Sequence, residues 1–186
     1  MPVRIGLRDV YYALLTQDDI TLGVTYSAPV RMIGAITANI NPNSSIETLF
    51  ADDGPMETAS TIGQIELELN LADIPLDVRA VLLGHTYVVA TGELVEKSSD
   101  IPPWLAIGFR SLKTNGDYRY VWLVKGKFMI PEDEHETKGD SITFQTPSIS
   151  GSFVKRDYDD VYRKMGDEDD AAFNPATWFT AAVIAS

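Results

Sequence analysis

Ile65, Leu67, Leu69 and Leu71 alternate with Gln64, Glu66, Glu68 and Asn70, so a strand here presents one wholly apolar face and one polar, acidic face. A second period-two pattern spans Ile101–Phe128. Two aromatic-rich runs are joined there by Lys113–Asp117, with Asn115-Gly116 at the turn, the arrangement of a β-hairpin. Shorter strands are expected at Val10–Leu15, Thr21–Ser27, Val30–Ile40, His85–Ala90, Glu93–Glu96, Ile142–Thr146 and Ile149–Val154. Turn residues separate them, among them Asp18-Asp19, Pro29, Asn41-Pro42, Gly92, Pro102-Pro103, Gly139-Asp140 and Pro147.

Helical periodicity is scarce. Ile74, Val78, Val81 and Leu82 form one apolar stripe over 74–83, with Asp73 placed to cap it, Pro75 in its first turn and Gly84 to stop it. Asn174-Pro175 opens a short helix reaching Val183. Between Asn41 and Gly63 the composition shifts to Asn, Ser, Thr, Asp and Gly around the apolar island Leu49-Phe50-Ala51 and the turn Asp52-Asp53-Gly54-Pro55. A segment this long without alternation predicts an extended loop or arm, and such loops commonly carry function. The pattern predicts a mainly β fold: an antiparallel β-sandwich or barrel with one flanking helix and a long loop or hairpin arm. At 186 residues, with no linker or repeat, one domain over 1–186 is expected, ending in an acidic segment over 155–186.

Composition narrows the function classes. Cysteine is absent, which removes disulfides and thiolate chemistry, and MPVRIGLRDV lacks the apolar core of a signal peptide. Folding in a reducing cytoplasm is the expectation. The apolar run Trp178–Ala185 is far shorter than the roughly 20 residues of a membrane helix. A formal net charge of −12 opposes tight nucleic-acid binding, which depends on cations neutralising phosphates, yet it suits a surface past which a polyanion slides.

Candidate catalytic groups do not assemble into a reaction centre. Gly139-Asp140-Ser141 imitates an esterase block, but His85 and His135 both precede Ser141, against the order of those esterases. His135-Glu136 begins a zinc-protease motif whose second ligand position is occupied by Gly139. The acidic clusters Glu132–Glu136 and Asp167–Asp170 lack the alternating oxygens and central glycine of a calcium loop, and read as solvated. Glu66 and Glu68 read as a polar strand face. No glycine loop for phosphates is present, so the expectation is no enzyme, no cofactor and no metal. Trp104, Phe109, Tyr118, Tyr120 and Trp122 offer one binding alternative, a carbohydrate-binding β-sandwich using exposed rings. Their commoner use is packing between sheets.

Taken in order, several blocks resemble the major tail protein family of long-tailed bacteriophages with non-contractile tails, the subunits of the tail tube. They are Val10-Tyr11-Tyr12-Ala13, Tyr26–Val30, Gly34-Ala35-Ile36, Leu49-Phe50-Ala51-Asp52-Asp53-Gly54-Pro55, Leu82-Leu83-Gly84-His85, Pro102–Phe109, Tyr118–Leu123 and Gly126-Lys127-Phe128. The resemblance implies packed antiparallel sheets with a helix at the side, and subunits forming six-membered rings that stack into a hollow tube for DNA ejection. Partners would be further copies of the chain, a tape-measure protein and tail-completion proteins. The location would be the virion tail, assembled in the host cytoplasm. Some members add an immunoglobulin-like C-terminal domain, for which this chain is expected to be too short. Residues 49–55 would then dock on a neighbouring subunit or ring. Glu66 and Glu68 would face the bore, where six copies carry about −72 in formal charge.

Overall fold

The computed structural model describes residues 2–51, 54–133 and 146–186. In chain order its elements are β1 (Arg4–Asp19), β2 (Gly23–Tyr26), β3 (Val30–Met32), β4 (Ala35–Ala51), β5 (Gly54–Leu71), α1 (Leu76–Leu83), β6 (Thr86–Val88), β7 (Glu93–Val95), β8 (Leu105–Lys113), β9 (Tyr118–Phe128), β10 (Ser148–Val154), β11 (Arg163–Asp167), a 3-10 turn (Pro175–Thr177) and α2 (Ala181–Ala185). The fold is mainly β, an antiparallel sheet curled into a half-barrel.

The expected hairpin lies near the middle of that sheet. β8 pairs with β9 from Leu105↔Gly126 to Leu112↔Tyr118, and Gly116 turns the chain at φ 96°. β1 lies against the other edge of β8 and carries β3 and β2 on its far side. The far edge of β9 is shared, β11 taking Arg119–Leu123 and β10 taking Lys125–Phe128. β10 leads to β5 and β5 to β4, where the sheet ends. Only Ile33 and Gly34 separate β3 from β4, so the chain ties together the two ends of the sheet. Gly34 makes that junction at φ 93° and its carbonyl accepts the Ala72 N–H at 2.7 Å.

Curling gives the central strands an inside and an outside, both dry. Inside lie Val10, Leu67, Leu69, Leu105, Ile107, Leu123, Ile149 and Phe153, closed over by Leu82 and Leu83 of α1. Outside lie Ala13, Tyr26, Ala106, Tyr120, Trp122 and Val124, covered by Trp178 and Ile184 from the C-terminal segment. Burial on both faces explains why β8 and β9 read as nearly continuous apolar runs, whereas Ile65–Leu71 alternates cleanly. The Trp122 Nε1–H donates to the Trp178 carbonyl at 3.0 Å and the Tyr26 hydroxyl to the Val124 carbonyl at 2.8 Å, whereas the buried Trp178 Nε1–H has no partner among the described residues.

Several boundaries differ from expectation. The helix begins at Leu76 because Ile74 precedes Pro75, whose ring disfavours helical geometry in the residue before it. Asp73 therefore does not cap α1, and its carboxylate accepts the adjacent Ile74 N–H at 2.8 Å. Gly84 does stop the helix, in the left-handed conformation. β1 runs well beyond Val10–Leu15, and the strand expected over Val30–Ile40 is split at Gly34. The expected helix from Asn174 to Val183 is instead a 3-10 turn capped by Asn174 and a separate α2. β11 was not anticipated. Ile142–Thr146, apart from Thr146, lies outside the described residues, as do Ser141 and His135.

Gly108 marks where the outer core leaves no space. A Cβ there would stand 2.5 Å from Cδ2 of the fully buried Trp122 ring. We expect Gly108→Ala to destabilise the fold by about 1–3 kcal/mol, seen as a lowered urea midpoint. An unchanged midpoint would mean that this ring is free to move.

Candidate functional site

The segment expected as a loop or arm over 41–63 is a hairpin arm. β4 and β5 remain paired to Ala51↔Gly54, close to the tip. Asp52 and Asp53 lie outside the described residues; Phe50 pairs with Pro55 through the backbone. The turn residues were legible, but the pairing was not, because Ser, Thr and Glu on both limbs carry no apolar alternation. Cross-strand hydroxyl contacts support it instead, Ser45 with Thr61 at 2.8 Å and Thr48 with Thr58 at 3.4 Å.

Directly opposed residues of an antiparallel pair share a face, so the register sorts the arm into two sides. Glu47 opposes Ala59 and Leu49 opposes Glu57, which puts both carboxylates and Leu49 on one side. Ile46 opposes Ser60 and Ile62 opposes Ser44, which puts two isoleucines on the other. Ile46 is 71% and Ile62 59% exposed. Along β4 the row of Ile46 continues that of Ala38 and Ile40, which pack on the inner core. The core-facing row of the sheet thus runs out of the body into solvent.

Glu66 and Glu68 point away from the core, since Ile65, Leu67 and Leu69 occupy the buried positions. Their cross-strand neighbours are Asn41 and Asn39 on one side, Ser152 and Ser150 on the other. Asn43 donates to Glu66 at 3.3 Å, and among the described residues no cation stands opposite either carboxylate. They form part of an open polar face, not a cleft.

A recess of about 500 Å³ was not foreseen. Between Arg8 and Tyr11 the register of β1 against β8 shifts, and Asp9 takes the left-handed conformation at φ 52°. Its carboxylate accepts from Arg110 Nε at 2.6 Å and pairs with Arg31. The recess is lined by these groups with Arg8, Met32, Ile33, Gly34 and Ala35. The Arg110 guanidinium lies 4.2 Å over the Tyr118 ring. Its charged members come from β1, β3 and β8, far apart in sequence, so only the unusual backbone at Asp9 signals it.

Groups considered for chemistry stay apart. The His85 side chain is buried, with Nδ1 2.8 Å from an Asp100 oxygen that also accepts the Lys97 N–H. Among the described residues no three His, Asp or Glu side chains stand together as metal ligands. Trp122 is fully buried, contrary to a platform of exposed rings, and Phe109 and Tyr120 are buried too. Trp104 remains 40% exposed, with the Lys127 ammonium 4.6 Å from its centroid.

The acidic C-terminal segment is not simply solvated. Lys113, 2% exposed, pairs with Asp167 and, at 2.6 Å, with Asp169. Lys125 bridges Asp18 and Asp157, each at 2.7 Å. Fully buried Arg156 holds Asp159 and donates to the Ile184 carbonyl at 2.6 Å, fixing α2. These pairs anchor the segment that covers the outer core.

Hydrogen bonds from Lys113 and Asn115 push the Asp169 carboxyl down to about 2. Burial pushes Asp18 upward, but the Asp157 and Tyr158 N–H groups and Lys125 outweigh it and leave it below the usual range. Asp117 is moved the other way, held up by its contact with Asp169. A depressed carboxyl stabilises the fold above its unfolded-state value and loses that contribution as pH falls through the folded value. Thermal stability should therefore fall between about pH 4 and pH 2. Asp18→Asn and Asp169→Asn should lower stability at neutral pH and flatten that decline, measured by melting across the range. A decline as steep in both variants would assign acid sensitivity elsewhere.

No protein family matches the sequence, and no curated protein matches it.

Proposed function

We propose that this chain is a structural subunit of a bacteriophage tail tube, which self-assembles into stacked six-membered rings enclosing a DNA-ejection conduit. The observation carrying this reading is the β4–β5 arm. Its core-facing row leaves the body uncovered at Ile46 and Ile62, and β4 ends the sheet with Glu47 as the one charged side chain in its 17 residues. A long strand edge with so little charge is prone to pairing, and closure of copies into a ring satisfies it. The order of sequence blocks supports the same reading, as does a polar face carrying Glu66 and Glu68 without opposing cations. Such a face, turned toward the bore, repels DNA phosphates and lets the duplex pass.

On this reading the arm, including residues 49–55, docks on a neighbouring copy, and the assembled tube meets tape-measure and tail-completion proteins in the virion tail. A carbohydrate-binding role is the weaker alternative. It rests on Trp104, since Phe109, Tyr120 and Trp122 are buried and Tyr118 is half-buried beneath Arg110.

Electron microscopy of the concentrated protein should show rings or hollow tubes; particles that stay monomeric at every concentration would overturn the proposal. Replacing Ile46 and Ile62 with Ser removes apolar surface that is already exposed in the monomer, so the melting temperature should change little. Assembly should require about tenfold more protein. Assembly at the wild-type concentration would reject this side of the arm as a contact.

A further inference from the structure

We infer that the arginine recess formed by Arg8, Arg31 and Arg110 receives the acidic side of the hairpin arm, Glu47 and Glu57, from a second copy of this chain. The inference rests on the assembly reading above and gives it a specific donor and acceptor.

Charge defines the acceptor. Three arginines line the recess with one carboxylate, that of Asp9, leaving a local excess of two positive charges on a chain whose formal net charge is −12. Arg8 is exposed and has no ion pair or hydrogen bond among the described residues. Among the described residues Arg31 pairs only with Asp9, and its side chain is 56% exposed. Ile33, highly exposed, and Met32 supply an apolar lip.

The arm supplies the complement. Glu47 and Glu57 are diagonal neighbours on one side of the hairpin, and neither has an ion-pair partner among the described residues. Leu49 stands directly across from Glu57 and two residues beyond Glu47 on that side, 60% exposed. Two carboxylates therefore meet guanidinium groups, whose planar donors suit them, while Leu49 meets Ile33.

The arm cannot fill the recess of its own chain. Ala35 lines the recess and begins β4, and Glu47 lies twelve positions further along the same paired strand. At roughly 3.3 Å per residue the two are about 40 Å apart. The partner must be another copy. Donor and acceptor occupy opposite ends of one strand, so each copy gives one contact and receives another. Such a head-to-tail contact propagates into rings or open filaments, in contrast to a self-complementary dimer.

Charge reversal tests this directly. One variant carries Glu47→Arg and Glu57→Arg; the other carries Arg8→Glu and Arg31→Glu, with Arg110 retained to hold Asp9. Assembly is read by sedimentation velocity and electron microscopy, and folding by circular dichroism. Each variant alone should need about tenfold more protein to assemble than the wild type, and an equimolar mixture should restore assembly. Should loss of the Arg31–Asp9 pair unfold the second variant, Arg8→Glu alone, at an exposed unpaired position, should still raise the required concentration. Wild-type assembly by Arg8→Glu, or a mixture no better than its components, overturns the inference and leaves the tube reading standing. Inorganic phosphate that binds the wild-type recess without weakening assembly would assign the recess to a small anion and also overturn it. A wild-type chain that never assembles overturns both readings.

Discussion

Burial of the β8–β9 hairpin on both faces is the constraint from which the rest of the structure follows. A sheet with one dry face can lie flat on a single layer, but Ile107 and Leu123 face one way while Ala106 and Trp122 face the other. The inner side is closed by curling the sheet and adding α1. The outer side is covered by the C-terminal segment, which packs Phe173, Trp178, Phe179, Val183 and Ile184 onto it and is held as well by buried Lys113, Lys125 and Arg156. Buried cations of this kind are costly unless paired, which explains why so much of the acidic segment is committed to them.

That commitment divides the negative charge of the chain into two populations. Asp18, Asp157, Asp159, Asp167 and Asp169 are tied to the buried Lys113, Lys125 or Arg156. Glu47, Glu57, Glu66 and Glu68 stand on the surface of β4 and β5 without a cation opposite. A net charge alone does not distinguish a structural carboxylate from one available to a partner. Their positions do, and the available ones lie on the arm and on the sheet that supports it.

What was legible in the sequence had local causes. Alternation at Ile65–Leu71, the Asn115-Gly116 turn and the stop at Gly84 each depend on residues within a few positions. What was not legible depended on distant partners. Lys125 meets Asp18 across 107 residues, and without that contact the tail reads as solvated acid. β11 carries the charged and flexible sequence Arg-Lys-Met-Gly-Asp and becomes a strand because the edge of β9 is open beside it. The arm lacks alternation because neither of its sides is buried in one chain, and the recess requires a bulge that only the paired register reveals.

The tie between the two ends of the sheet carries a further consequence. Because only Ile33 and Gly34 connect β3 to β4, the base of the arm is covalently coupled to the strand pair that contains the Asp9 bulge. A pull on the arm is therefore borne along the backbone into β1, as a shear distributed over many ladder hydrogen bonds and not as the unzipping of one edge. Strand length also acts as a ruler. One inserted residue between Ala35 and Glu47 would turn the carboxylate to the opposite side, whereas two would keep its side and shift it by about 7 Å, so spacing along this strand is quantised in pairs of residues.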